Sequence, residues 1–274
     1  MNFRNWWVVC VSSGLLLSAC APAAPPAPQA RVCRLASDSG TGAGERSWLI
    51  DAKDARVVLR GPDLPSMLGM ERAGQASLQV IEEAAAAGAG IVRVAVVDSE
   101  FTPTYVPLKL LPLAKKADEL GVTLILSWRN DPTLKLNKQA DDAEDFLRLA
   151  VPALRAYPNV WLDPFHDVLE APESRQRTVA VRMVDIVRGL GDSRIVVIHN
   201  AGWLNSDDVA TRAPILDAHV IYGVRALQAG MRDDVPLLLL GDDSDAPVSV
   251  QLVGGGDPLG RADLRKWGKS GRCR

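Results

Sequence analysis

The chain alternates between short apolar runs and longer segments in which apolar residues recur at helical spacing. Runs such as 91–97 (IVRVAVV) and 122–128 (VTLILSW) contain very few polar residues. This composition is typical of parallel strands that are covered on both faces. Between the runs, segments such as 173–190 place apolar residues on one helical face and charged residues elsewhere. The pattern therefore predicts repeated strand–helix units around a parallel sheet.

Eight strands are predicted, and helices separate most of them. The strands are expected at 56–60, 91–97, 122–128, 160–162, 194–199, 219–223, 235–240 and 248–253. The helices are expected at 78–87, with Ser77 preceding the first of them, and at 108–120, 141–156 and 173–190. Eight strands with helices between them imply an α/β fold of the (β/α)8 TIM-like barrel type, and a doubly wound open sheet is the alternative. The helix over 141–156 should begin with acidic residues and kink at Pro152.

The spacing between predicted strands shortens toward the C-terminus. A parallel crossover needs about a dozen residues, yet the connection before the last strand, 241–247, is shorter than that. The barrel is therefore expected to have shortened C-terminal units. Either the last unit lacks its helix, or the strand at 248–253 is wrongly assigned.

The N-terminal residues have the layout of an export signal. Arg4 supplies a positive charge, 6–17 is mostly apolar, and Leu17-Ser18-Ala19-Cys20 ends the segment. The apolar stretch is too short for an ordinary membrane-spanning helix. Those four residues resemble a bacterial lipobox, which implies cleavage before Cys20 and lipid attachment to it. An ordinary signal peptide with a chance cysteine is the alternative.

These features predict a signal peptide at 1–19, a lipidated cysteine with a Pro/Ala-rich tether at 20–45, and one barrel domain at 46–274. The protein would then be an exported bacterial lipoprotein of the cell envelope, attached to the membrane through Cys20. By analogy with other lipoproteins, Ala21 favours the outer membrane if the host has one.

Charge and cysteine content narrow the remaining possibilities. The net charge is −2, and Lys and Arg are scattered, which excludes the basic footprint of a nucleic-acid-binding protein. Cys10 leaves with the signal, so Cys33 and Cys273 are a candidate disulfide in an oxidising compartment, with two free thiols as the alternative. The usual metal-ligand spacings are missing from the sequence, and neither a metal nor a cofactor is expected. A monomer is expected.

Several segments, taken in chain order, resemble family 5 of the glycoside hydrolases, the cellulase-like enzymes. The stretch 48–61 resembles that family's opening hairpin and first strand, and IVRV at 91–94 resembles its second strand with an arginine. NVWLDPFHDV at 159–168 resembles the fourth strand, which in the family ends in Asn-Glu-Pro. The resemblance covers most of 48–245. It implies a (β/α)8 barrel with its site at the carboxyl ends of the strands.

The chain departs from the family at the catalytic positions. His166-Asp167 stands where the family has Asn-Glu, and Asp242 stands where the family has its nucleophilic glutamate. Shorter side chains move the carboxyls from the about 5 to 5.5 Å of retaining enzymes toward the about 6.5 to 9.5 Å of inverting ones. Asp167 as acid and Asp242 as base, with His166 positioning water or the acid, could hydrolyse by inversion. A glycan-binding protein without catalysis is the second interpretation.

Two further interpretations stay open. One is metal-assisted hydrolysis by His166, His199 and a neighbouring aspartate, and the other is a structural role in the envelope. The residues proposed to contact the substrate share a position near strand ends: Arg93, Trp128, Arg129, His199, Trp203, Tyr222 and Arg225. Trp128 and Trp203 are expected to offer stacking faces to a sugar. His199 could line the cleft or satisfy a structural hydrogen bond.

The arginines suggest a sharper alternative. Arg93 matches the family, whereas Arg129 and Arg225 stand where the family has histidines. Guanidinium groups that face Asp167 and Asp242 would form either a site for an anionic saccharide or an internal set of salt bridges. Salt bridges would lower the pKa values of the carboxyls, and neither could then act as an acid near neutral pH. The partners implied are therefore a glycan or an anionic saccharide, together with the membrane.

Overall fold

The structure of the protein is a computed structural model. It describes residues 31–35, 46–50, 59, 61–165, 171–199, 203, 215, 217, 219–224, 237–239 and 251–253. The first two ranges form an antiparallel hairpin of β1 (Arg31–Leu35) and β2 (Arg46–Ile50). Cys33 lies in β1, whereas Cys20 and Cys273 fall outside the described residues. The disulfide and the lipidation site therefore stay predictions.

The remaining strands form one sheet whose spatial order follows the chain order. They are β3 (Asp63–Leu64), β4 (Ile91–Val97), β5 (Thr123–Arg129), β6 (Val160–Asp163), β7 (Val196–His199), β8 (Val220–Val224), β9 (Leu237–Leu239) and β10 (Gln251–Val253). Each neighbouring pair from β3 to β9 is parallel. A doubly wound sheet would reverse its strand order at a switch point, and this sheet does not. The predicted TIM-like α/β fold is confirmed.

The last strand runs in the opposite direction from the others. β10 pairs with β9 antiparallel, with Gln251 opposite Leu239. Residues 240–250 separate the two strands, a connection of about the minimum length that a parallel crossover needs, roughly a dozen residues. The strand predicted at 248–253 is present at Gln251–Val253, but the prediction that it runs parallel to its neighbour is wrong.

The first barrel strand also differs from the prediction. Its pairing begins at Asp63, whereas the sequence suggested 56–60, of which the structure describes Leu59 alone. Gly61 allows the chain to approach β4, because a Cβ at this position would lie 1.5 Å from the carbonyl oxygen of Ile91. The Arg93 amide then donates to the Pro62 carbonyl at 3.1 Å. This approach brings Asp63 level with Arg93.

The helices pack outside the sheet. They are α1 (Met67–Arg72), α2 (Ser77–Ala86), α3 (Leu111–Glu119), α4 (Leu136–Ala153) and α5 (Glu173–Gly189), with a π-helical turn at Val106–Leu110 before α3. The predicted helices at 78–87 and 173–190 are confirmed to within one residue at each end.

Helix α4 begins five residues before its predicted start. Its N-cap, Lys135, makes no side-chain capping bond, so the sequence carried no start signal there. The acidic residues Asp141 and Asp142 consequently lie beyond the first turn. Pro152 precedes the last helical residue, Ala153. The kink that Pro152 is expected to cause in the preceding turn stays a prediction.

Side chains alternate between the two faces of the sheet, and the two faces bury different residues. Val92, Val94, Leu124 and Leu126 belong to the large apolar layer between sheet and helices. The residues between them, including Arg93, point into the barrel interior. The interior therefore receives the polar side chains of otherwise apolar strands, and this alternation decides which candidates can reach the site.

Candidate functional site

One buried arginine lies in the barrel interior and is bound by a side chain from each of four neighbouring strands. Arg93 Nη1 donates to Asp63 Oδ2 at 2.6 Å. Its Nε and Nη2 donate to Asp163 Oδ2 at 3.2 Å and 2.8 Å. Nη2 also lies 2.8 Å from Ser127 Oγ and 3.0 Å from His199 Nδ1. We call these five residues the Arg93 cluster; it joins the five consecutive strands β3 to β7.

The cluster is held deep in the protein. The side chain of Arg93 is 2% exposed and that of Asp163 is 0% exposed, whereas that of Asp63 is 12% exposed. Buried charges persist when they are paired and hydrogen-bonded, and Asp163 also accepts from Ser127 Oγ at 2.6 Å. Its other oxygen accepts from the Phe165 amide at 3.3 Å. Asp163 thereby fixes the chain just before the segment that carries His166.

Burial and pairing act in opposite directions on the acid and the base. Burial raises the pKa of Asp163 to about 6, although Arg93, Ser127 and the Phe165 amide all favour the carboxylate. Burial alone would lower the pKa of Arg93, but the charges of Asp163 and Asp63 outweigh it and raise that pKa. At neutral pH both groups are charged. The cluster then contains two carboxylates and one guanidinium.

The contact with Arg93 fixes the tautomer of His199. A guanidinium has only donors, so Nδ1 of His199 must accept from Nη2 of Arg93. The ring proton therefore sits on Nε2, and the imidazole is neutral. His199 is buried at the end of β7, where the sequence placed it. Of the two roles considered for it, the structure provides the structural hydrogen bond.

Three members of the cluster were missed by sequence reasoning. They are Asp63, Ser127 and Asp163, and only Ser127 stands next to a residue that was considered, Trp128. The available signal was a polar residue inside or at the end of an apolar strand, as in VWLD and LILSW. Arg93 was predicted to face Asp167 and Asp242, but its described partners are Asp63 and Asp163.

The predicted sugar-stacking role of Trp128 is wrong. Trp128 follows the inward-facing Ser127, so its side chain points to the opposite face of β5. It is 1% exposed, stacks on Phe146 with ring centroids 5.0 Å apart, and meets Phe101 edge-on at 5.1 Å. Its indole N–H donates to Asn130 Oδ1 at 2.8 Å. Both faces of the ring lie in the protein core and cannot receive a saccharide.

Trp203 and Tyr222 are also packed in the apolar layer. They are buried and meet in a T-shaped contact with ring centroids 6.3 Å apart. The Tyr222 hydroxyl accepts from the Ile215 amide at 2.7 Å. Their expected contact with a sugar is therefore wrong as well, because neither ring faces an open cleft.

The remaining candidates are divided between the described and undescribed parts of the chain. Arg129 is the last residue of β5, is half-buried, and shares the face of Ser127 by alternation. His166, Asp167, Arg225 and Asp242 lie outside the described residues. The proposed catalytic pair and its separation therefore stay predictions.

The described ranges contain neither a candidate metal site nor a helix suited to cross a membrane. Within them, no group of three or more His, Cys, Asp or Glu side chains is placed to hold a metal ion. Among the helices of those same ranges, none combines the length and the apolar character needed to cross a membrane.

Comparison with known proteins gives similarity of fold. The chain matches no protein-family model and no curated protein. A β-glucanase from Saccharophagus degradans, in complex with cellotetraose, is 16% identical over 77% of this chain and 66% of its own, with a TM-score of 0.54. The catalytic domain of Thermobifida fusca endoglucanase Cel5A is 14% identical over 71% and 63%, with a TM-score of 0.56.

A third structure is a mannotriose complex of Thermomonospora fusca β-mannanase, 13% identical over 70% of this chain and 72% of that one, with a TM-score of 0.52. The chain thus spans just under two thirds of the β-glucanase. Identities this low establish the fold alone. The protein has the barrel fold of cellulase-like glycoside hydrolases, as the sequence resemblance predicted.

Proposed function

We propose that the protein is a lipid-anchored envelope protein that binds a glycan at the carboxyl end of its barrel, with hydrolysis weakened or lost. Ligands of (β/α)8 barrels bind at that end. Two of the structurally similar proteins were solved with cellotetraose and mannotriose. The fold therefore supports saccharide binding, and the pairing of Arg93 inside the barrel supports weakened or lost hydrolysis.

The observation that carries this proposal is the pairing of Arg93 with the other members of its cluster. A guanidinium has five N–H groups. The Nε group, one on Nη1 and both on Nη2 are directed at the other cluster members. The side chain is also buried, so it cannot turn toward a carboxyl of Asp167 or Asp242 without breaking the pairing that keeps it in the interior. This pairing supports the proposal that the polar side chains of the barrel interior stabilise the fold and do not activate catalytic carboxyl groups.

Inverting hydrolysis is the second candidate function. Both catalytic positions of the resembled family still carry a carboxyl group, in Asp167 and Asp242. Shortened side chains are compatible with the about 6.5 to 9.5 Å separation of an inverting pair. In that case the two residues would act as acid and base on opposite sides of the glycosidic bond.

Binding and hydrolysis can be separated in one set of measurements. We expect full-length protein in detergent to bind a neutral oligosaccharide such as cellotetraose without releasing new reducing ends. We expect Asp167→Asn and Asp242→Asn to change the affinity by less than about tenfold, since each replaces a charged acceptor by a neutral amide that can still form a hydrogen bond, a difference of about 1 kcal/mol. Isothermal titration and a reducing-sugar assay provide the two readouts. Turnover by the wild type that disappears in both variants would establish the hydrolase instead.

The lipid anchor has its own test. We expect a palmitate analogue fed to cells to label the wild-type protein and not Cys20→Ala, because the lipobox-like segment ends at Cys20. Cys33→Ala is the matched control, since it removes a cysteine that the export signal does not use, and it should label like the wild type. Equal labelling of Cys20→Ala would contradict the anchor and leave the glycan-binding proposal untouched.

A further inference from the structure

The chain leaves β6 through a turn that a buried carboxylate holds. Asp163 is the last residue of β6, and its Oδ1 accepts from the Phe165 amide at 3.3 Å. A side-chain oxygen that bonds to the backbone two residues further along forms an Asx turn. Pro164 fixes its own φ at about −65° and restricts Asp163 to an extended backbone. The direction in which the chain leaves the strand is therefore closely determined.

The other oxygen of the same carboxyl group is bound to two neighbouring strands. Asp163 Oδ2 accepts from Arg93 Nε and Nη2 on β4, at 3.2 Å and 2.8 Å, and from Ser127 Oγ on β5, at 2.6 Å. The Asp163 side chain is 0% exposed, so bulk water does not compete for these bonds. One carboxyl group thus couples the turn after β6 to the positions of β4 and β5.

Packing fixes the turn from the opposite face of the sheet. Phe165 is buried in the apolar layer between sheet and helices, whereas Asp163 points into the barrel. The chain then continues to His166 and Asp167, which lie outside the described residues. In (β/α)8 barrels the segments that follow the strand ends form the ligand site. The turn therefore determines where one of these segments begins.

We infer that Asp163 is a positioning residue for saccharide binding, which sets the start of the segment after β6 without touching the ligand. The inference rests on the proposed glycan binding and names a residue that controls its strength. Because the Asp163 side chain is fully enclosed, it acts on affinity only through the turn. If the turn loses its hydrogen bond, the chain after Phe165 can take further directions. The apparent affinity then falls with the fraction of molecules that is competent to bind.

Two replacements of nearly equal shape separate the turn from the buried ion pair. Asp163→Asn and Asp163→Leu both remove the charge that faces Arg93. Asparagine can keep its Oδ1 on the Phe165 amide and donate from Nδ2 to Ser127 Oγ, whereas leucine can do neither. We expect Asp163→Leu to bind cellotetraose about two- to tenfold more weakly than Asp163→Asn, the effect of losing the hydrogen bond of the turn. Isothermal titration of full-length protein in detergent measures both affinities.

Ile81→Ala is the control for a loss of stability alone. Ile81 is fully buried on α2, which packs against α1 and α3, and its truncation leaves a cavity in the core. This variant should unfold at a lower urea concentration and still bind cellotetraose like the wild type.

Two further measurements guard against variants that do not fold. The asparagine and leucine replacements are also compared in an Arg93→Met background, where no buried guanidinium is left without its partner, and the same difference in affinity is expected. In the wild type, the NMR resonance of the Phe165 amide should shift when cellotetraose is added, whereas that of the Ile81 amide should not. The second measurement requires no variant.

The outcomes are distinguishable. Equal cellotetraose affinities of the asparagine and leucine variants, with both folded as judged by circular dichroism, would overturn the inference and leave the proposed function standing. A Phe165 amide resonance that cellotetraose leaves unchanged would do the same. A loss of affinity in Ile81→Ala as large as that in Asp163→Leu would assign the effect to stability and also overturn the inference. Absence of cellotetraose binding by the wild type would overturn the proposed function and the inference together.

Discussion

Replacing Arg93 with methionine is expected to lower the free energy of unfolding by about 3 to 5 kcal/mol, the cost of leaving a buried charge without its partner. Asp163 would lose both of its hydrogen bonds from the guanidinium while its side chain stays fully enclosed. Asp63 would lose its bond as well. Urea denaturation at about pH 7.5, where Asp163 is ionised, measures the loss.

The matched control is Arg182→Met on the outside of α5. Arg182 also binds two acidic residues, Asp141 and Glu144, but its side chain is 43% exposed. Exposed ion pairs contribute about 0 to 1 kcal/mol, so this variant should be nearly as stable as the wild type. Adding Asp163→Leu to Arg93→Met should recover part of the loss, because apolar groups can replace a buried pair at little cost. Equal stability of Arg93→Met and Arg182→Met would contradict the buried pairing.

Replacing Phe146 with alanine is expected to cost about 3 to 5 kcal/mol, as for other large aromatic side chains in a core. Phe146 is fully buried on the inner face of α4. Its ring stacks on Trp128 and meets Phe101 edge-on with centroids 5.6 Å apart. The variant would leave a cavity between the sheet and the helix, which the stiff rings around it cannot fill.

Leu149→Ala on the same helix is the control, because it also replaces a large apolar residue with alanine but at an exposed position. Leu149 lies one turn away and is 42% exposed, so its truncation should cost less than about 1 kcal/mol. Chemical denaturation of both variants measures the difference. A small loss for Phe146→Ala would mean that Trp128 is not held in a close-packed core, and would reopen its assignment as a surface for a sugar.

The fold could be predicted from the sequence because its signals are local. The apolar runs predicted both ends of β4 correctly and both ends of β5 to within one residue. Apolar residues at helical spacing predicted α2 and α5. The direction of β10 could not be predicted in the same way, since an apolar run reads alike in parallel and antiparallel strands. Only the length of the preceding connection carried that information.

The site was harder to predict from the sequence, because strand alternation determines which side chains point into the barrel. A strand covered on both faces is apolar throughout, so its sequence does not show which face points into the barrel. A shift of one residue exchanges the faces. Trp128 was therefore assigned to the site in place of its neighbour Ser127, and of the two only Ser127 contacts Arg93. Arg93 itself was recognised through the family resemblance, whereas Asp63 and Asp163 required its register with β3 and its side-chain contacts.

The Arg93 cluster also constrains the order in which the chain can fold. Arg93 and Asp163 are 70 residues apart, and Arg93 and His199 are 106 residues apart. Contacts this distant form slowly, because the entropy of closing the loop must be overcome before the contact contributes. Until β6 and β7 have docked, the guanidinium stays hydrated and the barrel interior cannot exclude water. We therefore expect the contacts of the cluster to form after the transition state of folding. Mutations that remove them should then raise the rate of unfolding more than they lower the rate of folding.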